Sequence, residues 1–169
     1  MSACTAQGAF EIIYVDDGSW DQTLPRLKDM RHEIAQLRVL HHEVSCGQSA
    51  AVRSGIRAAR APFIALLDSD DLWRSDKLAQ HVAFLENNPA VGISFDPSSF
   101  IDDTGAPLGI TQRPRLAGIN AQHILTRNPV GNGSAPVIRR SVLNEVAFVA
   151  PVGAQGDLQP CWFDETFRQ

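Results

Sequence analysis

The sequence lacks any apolar run approaching the ~18 residues that a membrane-spanning helix needs. Its opening, "MSACTAQGAF", has no basic stretch followed by a long apolar core, so it does not read as a secretory leader. Basic residues are not in excess. Fifteen Lys and Arg stand against nineteen Asp and Glu, a formal charge of -4, which leaves no basic face for a phosphate backbone and argues against a nucleic-acid partner. The three cysteines, Cys4, Cys46 and Cys161, are odd in number and scattered, so they form neither a disulfide framework nor a zinc-ligand pattern. Reduced thiols in a cytosolic compartment are the simplest reading. Internal repeats and low-complexity linkers are also missing.

What is present is a globular composition, 44% hydrophobic and 20% charged over 169 residues, the size of one domain. "FEIIYV" (Phe10 to Val15) predicts a strand that stops at "DDGS", Asp16 to Ser19. From Asp21, Leu24, Leu27, Met30 and Ile34 recur at helical spacing, with Pro25 in the first turn, where its missing amide costs little. "LRVLHH" (Leu37 to His42) predicts a second strand, and a helix follows from about Gly47 to Ala59. Phe63 to Leu67 predicts a third strand. The next helix is capped by Ser75 or Asp76 and has an apolar stripe of Leu78, Val82 and Leu85. "VGISF" (Val91 to Phe95) predicts a fourth strand. This alternation argues for βαβ units with right-handed crossovers. Beyond Phe95 the pattern predicts a hairpin around Thr104 and Gly105, a short helix in "NAQHILTRN", then a strand and helix in "SAPVIRRSVLNEV".

In an open parallel sheet, ligands bind beyond the carboxyl ends of the strands. Asp16 and Asp17 end one predicted strand, and Asp68, Asp70 and Asp71 end another, so both clusters are expected on one edge. Two unit charges ~4 Å apart repel by about 1 kcal/mol in water and about 4 kcal/mol at an effective dielectric near 20. A divalent cation would reverse that repulsion. The Asp-x-Asp arrangement offers hard oxygens suited to Mg or Mn, particularly with a substrate diphosphate completing the shell. The plainer reading makes Asp16, Asp68 and Asp71 helix caps or solvated turn residues. "SCGQSAAVRSG" (Ser45 to Gly55) could present amides to an anion at a helix start, although it matches neither the dinucleotide fingerprint nor a P-loop. Arg53 is a candidate to reach a phosphate, with an exposed salt bridge as its plain alternative. His41, His42 and Cys46 lack the spacing of a metal site. Trp20, Trp73 and Trp162 either cover the site or pack, with packing favoured, and Asp102 and Asp103 are expected to belong to the hairpin turn.

Taken in order, these segments resemble the family 2 inverting glycosyltransferases. "FEIIYVDDGSWDQT" is similar to that family's nucleotide-binding strand and turn, "HHEVSCGQSAAVRSGIRAARAPFIALLDSDDLW" to its helix, strand and Asp-x-Asp motif, and "NPVGNGSAPVIRRSVLNEV" to a later acceptor-side stretch. The resemblance implies an α/β fold of the GT-A type, a mostly parallel sheet flanked by helices. It implies a nucleotide-binding part over about residues 10–96 and an acceptor-side part over about 97–169. By the same resemblance Asp17 contacts the nucleotide base, Asp68 faces the ribose or the metal, and Asp70 binds the cation bridging the donor's diphosphate. The implied partners are a nucleotide-diphospho-sugar donor and an acceptor hydroxyl on a glycan, lipid or other molecule.

Two departures from the family pattern carry expectations. Family members usually begin with an apolar strand of the "VSVIIPVYN" kind and a helix, whereas nine residues precede Phe10 here. The usual first strand is therefore expected to be lacking, leaving sheet edges through which copies could associate. The general base of this family is acidic and follows a stretch like "WFDETFRQ", so it is expected beyond Gln169. Asp164 and Glu165 match the lead-in and are not assigned that role. Other readings are a non-catalytic module that self-associates or binds nucleotide, and an Asp-dependent phosphotransferase using Asp68 and Asp70. Leu72 disfavours the latter, because that motif usually has Thr or Val at its place.

Overall fold

The computed structural model describes residues 10–152 and 156–162. In chain order the first elements are β1 (Ile12–Asp17), α1 (Thr23–Glu33), β2 (Leu37–His42), α2 (Gln48–Ala58), β3 (Phe63–Ala65) and α3 (Lys77–Asn87). They are followed by β4 (Ile93–Ser94), β5 (Ser98–Ile101), β6 (Pro107–Gln112), α4 (Ala121–Thr126), β7 (Val137–Arg139), α5 (Arg140–Val146), β8 (Phe148–Val152) and β9 (Asp157–Cys161). Two compact units result, one of residues 65–139 and one of residues 10–64 with 140–162. Among the described residues, no helix is long and apolar enough to cross a membrane.

In the unit containing both sequence ends of the described chain, β1 and β2 pair in parallel, from Ile12 opposite Leu37 to Asp17 opposite His42. The aliphatic run of β1 supplies the ladder, and the α1 crossover buries Leu27. α2 buries Ala50 and Ile56. Its Gly55 faces β1, where an added Cβ would make an ordinary contact, 3.5 Å, with a Val15 methyl. The turn after β1 depends on Gly18. Its φ is +76°, and an added Cβ would lie 2.6 Å from the Ser45 nitrogen, nearer than real Cβ atoms come. The Arg140 amide and Nε donate to the Pro62 and Ala61 carbonyls at 2.9 and 2.8 Å, fixing the start of α5. The Trp162 indole donates to the Leu143 carbonyl at 2.7 Å.

In the Ala65–Arg139 unit, β4 and β7 pair antiparallel, with Ile93 opposite Ile138. α3 packs beside them, and Leu85 and Val137 are almost fully buried. Arg139 ties the region together: its amide reaches Gly92 O at 2.8 Å and its Nη2 reaches Leu85 O at 2.7 Å. The β5–β6 hairpin turns where the sequence predicts, at Gly105 with φ +85°. There Asp102 Oδ1 accepts from the Thr104 and Ala106 amides, both at 2.9 Å.

Several expectations are corrected. The fully buried line of α3 is Lys77, His81 and Leu85, while Leu78 and Val82 are only half-buried. Asp76 occupies the N-cap position of α3 without a side-chain cap; its carboxylate accepts from Arg74 Nη2 at 3.1 Å and Gln80 Nε2 at 2.7 Å. Trp20 is 97% exposed and does not pack. The β8–β9 hairpin is absent from the sequence reading because Pro151 and Pro160 remove backbone donors and argue against strands, which an isolated two-stranded ladder tolerates at its outer edges.

Candidate functional site

β1 delivers Asp17 opposite His42, and the loop before α2 closes over its carboxylate. Oδ1 accepts from His42 Nδ1 at 2.6 Å, and Oδ2 accepts from the Ser45 hydroxyl and the Gly47 amide, each at 2.8 Å. The Cys46 amide lies 3.0 Å from both oxygens. Burial opposes ionisation here, but the Cys46 amide, His42, Ser45 and the Gly47 amide outweigh it and hold the carboxyl at about 2, below its ordinary 3.8. Since His42 Nδ1 donates to Asp17, its Nε2 accepts from the Ser54 hydroxyl at 2.9 Å.

Asp17, His42 and Cys46 each bring a potential ligand atom within 4.8 Å of the others. The four lone-pair directions of Asp17 and both ring nitrogens of His42 are already engaged, so the arrangement is a hydrogen-bonded clamp on the start of α2. His41 stands apart from it, with Nδ1 2.7 Å from Asp16 Oδ2. Asp16 is 1% exposed, neither a cap nor a solvated turn residue. Burial raises its pKa, and the Ser19 hydroxyl and His41 more than reverse that, so it is lowered overall. Arg53, expected near a phosphate, donates from Nη1 to Gln159 Oε1 on β9 at 2.9 Å. Arg57 Nη1 donates to the same oxygen.

The Asp-x-Asp stretch lies in the other unit, and it is built against residues 132–135. The Asp68 amide donates to the Ser134 hydroxyl at 2.8 Å, and the Asp71 amide donates to the Asp68 carbonyl at 3.2 Å. Asn132 Nδ2 donates to Asp71 Oδ2 at 2.9 Å, while the Asn132 carbonyl oxygen of the side chain accepts from the Ser134 amide at 2.6 Å. The Trp73 indole donates to the Ser134 carbonyl at 2.8 Å, and Lys77 Nζ donates to the Ala135 carbonyl at 2.6 Å. Gly133 lies against the Asp68 carboxylate, since a Cβ would come 3.3 Å from Oδ2.

These contacts leave one acid uncommitted. Asp70 is exposed, and its carboxylate takes no hydrogen bond or ion pair among the described residues. The exposed Asp70 carboxylate offers hard oxygen atoms of the kind that a divalent cation takes.

Below the loop, Lys77 is 8% exposed and its ammonium lies 5.7 Å from the Trp73 ring centroid. Burial lowers its pKa, and Asp96 partly counters that. His81, also buried, places Nε2 2.7 Å from Asp96 Oδ2 and Nδ1 2.8 Å from Ser94 Oγ. Asn132, Gly133, Ser134 and Lys77 were not singled out by sequence reasoning. "GNGSAP" marks a turn without saying which loop it braces, and a lysine at a helix start reads as solvated. Cys4, Asp164 and Glu165 lie outside the described residues.

The chain resembles known proteins along most of its length. A family model described as "Glycosyl transferase family 2" matches residues 2–147. An uncharacterized glycosyltransferase of Nostoc sp. is 32% identical over 149 residues, covering 84% of this chain and 45% of that protein. The teichuronic acid biosynthesis glycosyltransferase TuaG of Bacillus subtilis, whose assignment is itself provisional, is 31% identical over 99 residues, covering 59% of this chain and 39% of that protein. Among solved structures, residues 1-349 of TarS from S. aureus in complex with UDP superpose with a TM-score of 0.60 at 23% identity, over 80% of this chain and 39% of that one. The mannosyltransferase PcManGT from Pyrobaculum calidifontis, in complex with GDP-Man and Mn2+, gives 0.56 at 20% identity, over 80% and 36%. The chain thus spans less than half the length of the relatives it matches. It belongs to glycosyl transferase family 2, and its fold is α/β of the GT-A kind.

Proposed function

We propose that this family 2 chain forms the donor-binding part of an enzyme that moves a sugar from a nucleoside-diphosphate sugar to an acceptor hydroxyl with inversion at the anomeric carbon. The observation that carries the reading is Asp70, an exposed carboxylate left without a partner on a loop whose neighbours are tied to Asn132 and Ser134. The UDP held by TarS and the GDP-Man and Mn2+ held by PcManGT support the same reading for a chain of this fold.

Asp70, with Asp68, would hold a Mg or Mn ion. Such an ion, when bound, offsets the charge developing on the departing nucleoside diphosphate. Asp68 orients the loop through its amide and offers its carboxylate to the ion or the ribose. Asp17 addresses the base. Its Ser45 contact is a hydroxyl that can rotate aside, so a base N–H could take that place without disturbing the three contacts to His42, Cys46 and Gly47. Arg53 would join only by exchanging Gln159 for a phosphate oxygen. The acceptor is a glycan, lipid or other hydroxyl-bearing molecule, and no described residue is assigned as its general base. Self-association through open sheet edges and a cytosolic location belong to the same proposal.

The test is calorimetric titration of the chain with UDP and GDP, with and without Mn2+. Binding to at least one nucleotide that disappears on chelation is expected. Folded protein that binds neither nucleotide in the presence of the metal would sink the reading.

A further inference from the structure

We propose that Lys77 is a positioning residue for the Asp68–Asp71 loop, acting through the Ala135 carbonyl, so that affinity for a metal-bound nucleoside diphosphate depends on a side chain that does not touch it. This rests on the donor-binding reading above.

Packing alone does not explain a lysine here. An unbranched apolar side chain would fill the same space without burying an ammonium, which is costly unless the charge is hydrogen-bonded. The ammonium has one strong acceptor, Ala135 O at 2.6 Å. His81 Nε2 lies 3.3 Å away but donates its proton to Asp96 Oδ2 at 2.7 Å, so it has no lone pair for Lys77. Ser94 Oγ then donates to His81 Nδ1 at 2.8 Å. Asp96, His81 and Ser94 are therefore satisfied among themselves, and among the described residues the Lys77 ammonium rests on a single backbone carbonyl.

That carbonyl adjoins the bracing residue. Ser134, one position earlier, takes the Asp68 amide on its hydroxyl and the Trp73 indole on its carbonyl. Trp73 in turn has its ring centroid 5.7 Å from the ammonium. If Lys77 releases Ala135, the 132–135 segment loses a tether, and the Ser134 contacts to the Asp68 amide and to the Trp73 indole loosen together.

The experiment compares Lys77→Met, Lys77→Arg and the unaltered chain in two readouts. One is hydrogen exchange of the Trp73 indole proton by NMR, assigned with Trp73→Phe, using the Arg139 amide bonded to Gly92 as the folding control in the same unit. The other is the Kd for UDP or GDP with Mn2+. Expected for Lys77→Met are at least tenfold faster Trp73 exchange, an unchanged Arg139 amide and at least tenfold weaker nucleotide binding. Lys77→Arg, which keeps a cation and a donor, recovers most of both. If Lys77→Met does not fold, Lys77→Arg carries the decision by exchange alone: Trp73 protection lost despite a retained cation and donor overturns the proposal, and protection retained supports it. Unchanged Trp73 exchange in Lys77→Met overturns it, as does faster exchange with unchanged affinity. An unaltered chain that binds no nucleotide defeats the donor-binding reading and, with it, the claim on affinity; the exchange readout still decides whether Lys77 holds the loop.

Discussion

The Asp68 amide donates to the Ser134 hydroxyl at 2.8 Å across 66 positions of sequence, and Ser134 is 4% exposed. The first acid of the Asp-x-Asp stretch is thereby oriented through its backbone.

Ser134→Ala removes that acceptor and leaves the Asp68 amide without its partner. The expected cost is about 1–3 kcal/mol, read as a lower urea midpoint. Nucleotide affinity in the presence of Mn2+ should fall with it. An unaltered midpoint would mean that water replaces the hydroxyl at no cost.

Asp70→Asn separates binding from stability. Because Asp70 has no partner among the described residues, its loss should change stability by no more than about 0.5 kcal/mol. Metal-dependent nucleotide binding should drop at least tenfold. Loss of fold in this variant, measured by circular dichroism, would contradict the assignment of Asp70 as an uncommitted ligand.

Asp17 predicts an acid-dependent loss of stability. Its folded pKa, about 2, lies below the ordinary 3.8, so the native state favours the ionised form. The contribution is fully present above the unfolded value and is lost as pH falls from about 4 through about 2. A depression of this size corresponds to about 2 kcal/mol. Urea unfolding between pH 5 and pH 2 should show the slope, and Asp17→Asn should flatten it.

Gly18→Ala tests the turn after β1. The new Cβ would meet the Ser45 nitrogen at 2.6 Å on a backbone with φ +76°. Strain in that region costs about 1–2 kcal/mol before the clash is counted, so a clearly lower Tm is expected. A Tm unchanged within error would show that the Val44–Ser45 backbone moves freely.

Local pattern was enough for much of the fold. β2 falls on Leu37–His42 as expected, α2 follows the Gly47 turn, and the hairpin turns at Gly105. β4 shrank to Ile93–Ser94, because a strand's length depends on how much partner it finds, and β7 offers it only Val137 and Ile138. α3 shows the limit of periodicity most plainly. Leu78 and Val82 carry the apolar signal, yet Lys77 and His81 are buried, since hydrogen bonds to Ala135 and Asp96 compensate a burial that hydropathy disfavours.

By itself, the sequence determined the α/β order of elements and the placement of Asp16 and Asp17 at the end of β1, because side-chain sterics and turn chemistry act over a few residues. β3 stops at Ala65, so Asp68, Asp70 and Asp71 stand in the loop after it and not at the strand's end. Which acid is buried, which is clamped and which stays free was decided by tertiary structure alone. Asp16 meets His41, Asp17 meets the start of α2, and Asp71 meets Asn132, each through a partner 25 or more positions away. No local pattern encodes contacts of that range, so the free carboxylate of Asp70 became visible only when the others had found their partners.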